Sequence, residues 1–372
     1  MKRKVKTFCS ALLLAVSLTA LGAGFAVAQD LDELNQQILN NPADASLNLR
    51  YAQLAEQEGK PRLALAAYER ILINDPTNED ARRGYERIRR LIEPDYTIAR
   101  VEVGVRWDSN PANIEDGDEA VSEYFRGVVV HEHTYGDRRW RSAINLDAEQ
   151  TPDIDELDYG YVGAQVGPMI YVGPHTAAIP TIGAGVSTLG GDLLFTDVNV
   201  GVTFEGRGDG VSYWTRVRGG WRDYGDDIVA DNGAYAEIVA GLAKPRFLSD
   251  KGTAVVTPWV RWSDIEGSTY DFFLDGEFSP GGYLEYGIDA NYNYQVNDNL
   301  MLTAGALIRQ RDFHDLDRTD FYTAPAVAAT VQNMLPCACD IKLRYQYRDN
   351  DSDAFFSDYE GEQVSLSLLA RF

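Results

Sequence analysis

Two regimes of hydrophobic spacing divide the chain near Pro94. Before it, apolar residues recur every three or four positions, which places them on one face of a helix. Leu31, Leu34, Ile38 and Leu39 form one such set. Leu47, Tyr51, Leu54 and Ala55 form a second, and Leu65, Tyr68, Leu72 and Ile73 a third. Asn41-Pro42, Gly59-Lys60-Pro61 and Asp75-Pro76 separate them, because proline removes an amide donor and pushes the residue before it out of the helical region. After Pro94 the polarity alternates with period two. Val101, Val103, Val105 and Trp107 oppose Arg100, Glu102 and Arg106. Leu284, Tyr286, Ile288, Ala290, Tyr292 and Tyr294 oppose Glu285, Asp289, Asn291 and Asn293. Tyr213, Val217 and Trp221 oppose Arg216, Arg218 and Arg222. Leu343, Tyr345 and Tyr347 oppose Lys342, Arg344 and Arg348.

Fourteen such strands are expected between 96 and 372. Tyr and Trp stand at the ends of their apolar stripes, which is the pattern of a barrel with lipid outside and water inside. The connections at 108–120, 223–232, 265–280, 312–318 and 350–361 are long and acidic. Those at 134–138, 173–174, 247–252 and 295–298 are short. That alternation fits outer loops and periplasmic turns, with both chain ends on the periplasmic side. The fold expected is therefore a transmembrane β-barrel of about fourteen antiparallel strands, preceded by a small all-α domain. Phe372, closing an amphipathic last strand, resembles the signal read by the barrel-assembly machinery.

The first residues follow neither regime. Lys2, Arg3, Lys4 and Lys6 precede the apolar stretch Phe8 to Gly24, and Ala26-Val27-Ala28 fits a small-residue cleavage site. Residues 1–28 read as a signal peptide, 29–93 as the helical domain and 96–372 as the barrel. In the helical domain, Pro42 and Pro76 stand 34 positions apart, the period of tetratricopeptide repeats. In that register Ala64 and Tyr68 fall at the small and aromatic positions where paired helices pack. Asn48 and Ala52 stand where the pattern carries Trp and Gly.

Charge narrows the functional classes. Lys+Arg is 34 against Asp+Glu 57, a formal net charge of −23. A nucleic-acid partner is excluded, since phosphate contacts need a basic surface. The inward positions nevertheless carry both signs: Arg100, Glu102, Arg106, Arg141, Arg216, Arg218, Arg222, Glu285, Asp289, Lys342, Arg344 and Arg348 are the candidate lumen-lining residues. They brace the wall by salt bridges or mark a path for a charged substrate. Arg82, Arg83, Arg87, Arg89 and Arg90 form an outward basic ridge before the barrel, a candidate surface for an acidic client or anionic lipid.

No nucleophile elbow, phosphate loop or zinc motif is present, so neither enzyme chemistry nor a cofactor is expected. His131 and His133 share a strand face without a third ligand nearby, and no metal site is expected there. The acidic runs Glu115-Asp116-Gly117-Asp118, Asp226-Asp227 and Asp349-Asn350-Asp351-Ser352-Asp353 lack calcium-loop spacing. They read as solvated loops, bridged by divalent ions to lipopolysaccharide. Cys337 and Cys339 lie in a periplasmic turn, where a local disulfide, an intermolecular one and a free dithiol are open. Arg placed at the outward Tyr286 or Ile288 is expected to harm assembly more than Arg placed at the inward Glu285 or Asp289.

In architecture the chain resembles the surface lipoprotein assembly modulators, the Slam proteins. The residues that carry the resemblance are the strand Val103-Gly104-Val105-Arg106-Trp107 ending in Asp108-Ser109-Asn110, and the last hairpin from Tyr345 through Tyr359. The helical part is shorter than is typical of that family. The resemblance implies export of a lipoprotein or small secreted protein client across the outer membrane. The helices would receive the client and the barrel would pass it. A polysaccharide-export barrel and a passive diffusion porin are the alternative readings.

Overall fold

The computed structural model describes residues 31–372, apart from 93–94, 115–116, 136–137, 174–175, 209, 226–229, 231, 266–280, 315–316, 335–338 and 355–356. The signal peptide expected at 1–28 lies outside the described residues. The chain divides into two compact units, Met1–Ile88 and Arg89–Phe372.

Among the described residues four helices precede the first strand: α1 Leu31–Asn40, α2 Ala45–Gln57, α3 Pro61–Asn74 and α4 Glu79–Ile92. Their ends follow from local chemistry. Asp44 caps α2 by accepting from the amides of Ser46 and Leu47, and Pro61 opens α3 where its missing donor costs nothing. These two cap bonds hold the Asp44 carboxyl below its ordinary range. Ala52, Ala55, Ala64 and Ala67 are fully buried, so the helices approach closely. A methyl group at Gly84 would fall 2.3 Å from the Tyr68 ring, so only glycine lets α4 cross that ring. Tyr68 donates to Glu56 at 2.5 Å, and burial together with that bond raises its phenol well above the usual range. Asn48 donates to the carbonyls of Pro42 and Asp44 and accepts from Arg70, which explains a polar side chain at a buried helical position.

The second unit is a closed barrel. Its strands are β1 Tyr96–Asp108, β2 Ala120–Tyr135, β3 Arg138–Gln150, β4 Tyr159–Gly173, β5 Thr176–Leu189, β6 Asp192–Gly208 and β7 Val211–Tyr224. They continue as β8 Gly233–Pro245, β9 Gly252–Asp264, β10 Gly282–Asn297, β11 Leu300–Phe313, β12 Thr319–Val331, β13 Asp340–Ser352 and β14 Tyr359–Arg371. Each pairs with its sequence neighbours, and β1 closes on β14. The expected number and order of strands are those observed. Closure satisfies the backbone groups of every strand without leaving an edge, a condition that lipid imposes. Among the described residues no helix is long and apolar enough to cross a membrane.

The two faces separate as the alternation requires. Outward positions such as Val103, Ile144, Ile182, Val200, Ile238, Val260, Ile308, Val327, Leu343 and Leu366 are apolar and exposed. Trp221, Trp262 and Phe321 stand toward one rim on that face, and Tyr135, Phe204 and Tyr294 toward the other. The rim bearing the start of β1 and the end of β14 carries mostly short turns; the opposite, loop rim carries most long connections. Three connections depart from this rule: 190–191 is short on the loop rim, and 246–251 and 332–339 are longer on the other.

One expected loop is strand instead. Asp349 to Ser352 continue β13, pairing with Asp320 to Thr323 and with Tyr359 and Glu360. Their polarity suggested solvent, but Asn350 and Ser352 face inward and are bonded to the Ser357 carbonyl and to Asp320.

The β1–β14 seam carries a latch at the loop rim. Asp108 accepts from Arg348 at 2.6 Å and from Gln363 at 2.7 Å. Ser109 accepts from the amide of Glu362, and Asn110 donates to the carbonyl of Glu360. Arg348 also donates to Asn113 at 2.6 Å. Each residue of the Asp-Ser-Asn run thus ties the first strand to the last two.

Candidate functional site

Among the described strand residues, the inward face gathers many ionisable side chains. Register sets which of them meet, since residues directly opposite on neighbouring strands share a face. Arg218 stands opposite Glu237, Glu237 opposite Arg261, Arg261 opposite Glu285, and Glu285 opposite Arg311. The result is a ladder of alternating sign across β7 to β11.

Glu285 is its keystone. It accepts from Arg311 at 2.6 and 2.9 Å, from Arg261 at 2.6 Å and from the Trp259 indole at 2.9 Å, with Arg309 at 3.8 Å. A methyl group at Gly287 would sit 2.3 Å from the Trp259 ring, so glycine allows that ring to lie flat. Glu237 is shared by Arg216 at 2.9 Å, Arg218 at 3.0 Å and Arg261 at 3.5 Å. The guanidinium groups also stack on rings at 4.4 Å: Arg311 on Tyr283, Arg309 on Tyr322 and Arg222 on Tyr235. Stacking keeps the flat faces of these cations out of water while their edges bond the carboxylates.

The β14–β1–β2–β3 side is built differently. Glu102 accepts from Lys342 and Ser367, both at 2.8 Å. Arg106 pairs with Glu149, and Arg126 lies 3.5 Å from Asp147. Toward the chain-end rim, Glu132 binds Arg139 and Arg141, and Arg141 reaches Glu205 through two bonds of 2.7 and 2.8 Å.

A cavity of about 540 Å³ lies inside the barrel. Arg100, Glu102, Arg126, Asp147 and Tyr161 line it from β1 to β4, Arg371 from β14, and Arg216 and Arg218 from β7. Strand β7 stands about half the ring away from β1. One cavity therefore touches both walls, which locates a narrowing of the lumen.

All twelve expected lumen residues fall on the inward face by register. They do not form one site. Arg100, Glu102, Arg216 and Arg218 reach the cavity; Arg222, Glu285 and Arg348 are buried in the wall. Asp289 accepts from Asn291, and Arg344 lies within electrostatic range of Asp289, Glu102 and Arg126. Burial also corrects one expectation: Glu285 is 1% exposed among three arginines, so Arg there is not the milder change. The candidates missed Arg126, Glu132, Arg139, Glu205, Arg261, Arg309 and Arg311. The spacing of Arg309 and Arg311 about Gln310 was the available signal.

The basic ridge is only partly a ridge. Arg87 is 9% exposed and folds inward on Glu56 at 2.5 Å, because α4 packs on α2 and α3 at that point. Arg82 and Arg89 are exposed, Arg83 pairs with Glu79, and the side chain of Arg90 lies outside the described residues. His131 and His133 point outward from the barrel, stacked with centroids 5.4 Å apart. Among the described residues no group of three metal-ligating side chains occurs. The acidic pairs Glu115-Asp116 and Asp226-Asp227 lie outside the described residues. Cys339 is buried and disulfide-bonded, and Cys337 lies outside the described residues. Phe372 exchanges backbone hydrogen bonds with Ala99.

An apolar outer face, a charged inner face and a closed antiparallel wall of fourteen strands define a porin-like outer-membrane barrel. The family described as "Putative beta-barrel porin 2" matches residues 264–372, the part holding β10 to β14. No curated protein matches the chain. Among solved structures, OmpT of Vibrio cholerae in its trimer form is similar at 8% identity and a TM-score of 0.44, over 75% of this chain and 100% of that one. The outer membrane channel DcaP of Acinetobacter baumannii is similar at 11% and 0.46, over 75% and 97%. OpdK of Pseudomonas aeruginosa with vanillate is similar at 10% and 0.37, over 74% and 99%. At these values the likeness goes no further than the barrel.

Proposed function

We propose that the chain forms an outer-membrane channel through which small hydrophilic solutes diffuse. The observation that carries this reading is the lumen cavity touched by both β1 and β7, lined by charged side chains. A fourteen-stranded ring is wider than the side-chain-filled eight-stranded barrel, so its interior can hold water. In this reading the loop rim faces the outside, with its acidic loops against lipopolysaccharide, and the helices lie in the periplasm. Assembly proceeds through the barrel-assembly machinery, with Phe372 as part of its signal. The test is conductance. Purified full-length protein in a planar bilayer should give discrete steps of current; a folded, heat-modifiable protein that gives none would overturn the channel.

Export of a lipoprotein or secreted protein client is the second reading. It is favoured by the helical unit, whose exposed Arg82 and Arg89 offer a basic surface on an acidic chain. Deleting 31–92 separates the two. A channel keeps its conductance and the cell keeps its surface proteins; an exporter loses a surface protein while the barrel still assembles.

A further inference from the structure

The lumen differs in sign from the molecule that contains it. The chain carries −23 overall. Inside, basic and acidic side chains are paired, but unequally placed. Glu237 is 1% exposed while its partner Arg216 is 32% exposed. Glu132 is likewise hidden behind Arg141, and Asp340 behind Arg371. Glu237 is moreover divided among three arginines. In these pairs the carboxylates are set back in the wall and the guanidinium groups project toward water.

At the cavity this asymmetry adds up. Arg216 and Arg218 approach from β7, and Arg100, Arg126 and Arg371 from β1, β2 and β14. The carboxylates there are Glu102 and Asp147. Glu102 is already met by Lys342 and Ser367, and Asp147 lies 3.5 Å from Arg126. The positive potential is concentrated because low-dielectric walls on both sides focus the field. Guanidinium groups bond carboxylate and phosphate oxygens in pairs, so a planar or tetrahedral anion fits better than a monatomic one.

We infer that this cavity is an anion-selecting constriction, taking small carboxylate- or phosphate-bearing solutes. The inference rests on the channel reading for transport, but the site is also testable by binding alone. Two measurements on the full-length protein keep them apart. In a planar bilayer under a potassium chloride gradient, the reversal potential should have the sign of anion preference. Millimolar inorganic phosphate should reduce the chloride current. By titration calorimetry, the folded protein in detergent should bind inorganic phosphate. Arg126→Gln with Arg100→Gln should lower the anion-to-cation permeability ratio and the phosphate affinity by about tenfold. Lys244→Gln, on the outer face, should change neither. Phosphate binding without any current would overturn the channel and sustain the anion site. Current with no preference or a cation preference, and no phosphate binding, would overturn the anion site and sustain the channel. Unaltered selectivity and binding in a folded Arg100/Arg126 double variant would remove the site from this cavity.

Discussion

Two halves of one wall use the same residue types for opposite ends. Across β8 to β11, Glu237, Arg261, Glu285, Arg309 and Arg311 are buried, and each carboxylate is shared among several guanidinium groups. On β1 to β3, Arg106 meets Glu149 and Arg126 meets Asp147 in simple pairs, the second of them half-exposed, while Glu132 and Arg139 are buried together toward the chain-end rim. Both halves face inward and both alternate with apolar residues in the chain. The contrast teaches that an inward charge is not by itself a solute contact. Its role depends on how many neighbours desolvate it. Taking an ion out of water costs several kcal/mol, and only multiple hydrogen bonds offset that. Glu285 has them, and it is wall. Arg126 does not, at 47% exposure with an Asp147 partner 39% exposed, and it is lumen surface.

The comparison is most easily broken at Glu285. Glu285→Ala removes the carboxylate that three guanidinium groups share and should cost about 3–5 kcal/mol, read as loss of the heat-modifiable folded band. If that variant folded like the parent, the keystone account would fail. Ile288→Arg, one strand position class away on the lipid face, should cost about 2–4 kcal/mol by the same assay. Asp289→Arg should be mild, because among the described residues Asp289 accepts a single side-chain hydrogen bond, from Asn291 on its own strand. Equal effects at Glu285 and Asp289 would erase the distinction between wall and lumen.

The seam gives an intermediate effect. Arg348→Ala leaves the buried Asp108 and Asn113 short of a donor, and about 1–3 kcal/mol should be lost in urea unfolding. Lys342→Ala, which removes a partly exposed partner of Glu102, should cost about 0–1 kcal/mol. A larger loss at Lys342 than at Arg348 would move the closing interaction from the loop rim to the middle of the seam.

The smallest effect lies outside the barrel and sets the lower end of the scale. Asp44 is a half-buried cap whose carboxyl titrates below its ordinary value of 3.8. A depressed pKa contributes stability that is present above the unfolded value and is lost as pH falls through the folded one. Hydrogen exchange in the first turn of α2 should therefore quicken below about 3.8, and Asp44→Asn, which keeps an acceptor without titrating, should abolish that dependence. An unchanged pH dependence in the Asn variant would assign it to another group.

The sequence by itself determined most of the architecture. Period-two alternation fixes which face each strand residue takes, because a one-residue slip would turn the whole apolar stripe inward. It therefore placed Arg100, Arg216, Glu285, Lys342 and the rest on the inner face and predicted fourteen strands. Helical spacing and prolines delimited the first three helices for the same local reason. What lay beyond it was contact between strands distant in the chain. Nothing around Arg87 announces Glu56, 31 positions away, and nothing around Asp108 announces Arg348. Asp349 to Ser352 read as a loop because their partners were out of sight. Only strand register decided that Arg261 would bridge two carboxylates, and only the closed ring that β7 would share a cavity with β1. Alternation is a property of one strand, whereas burial and pairing belong to neighbours that register and closure bring together.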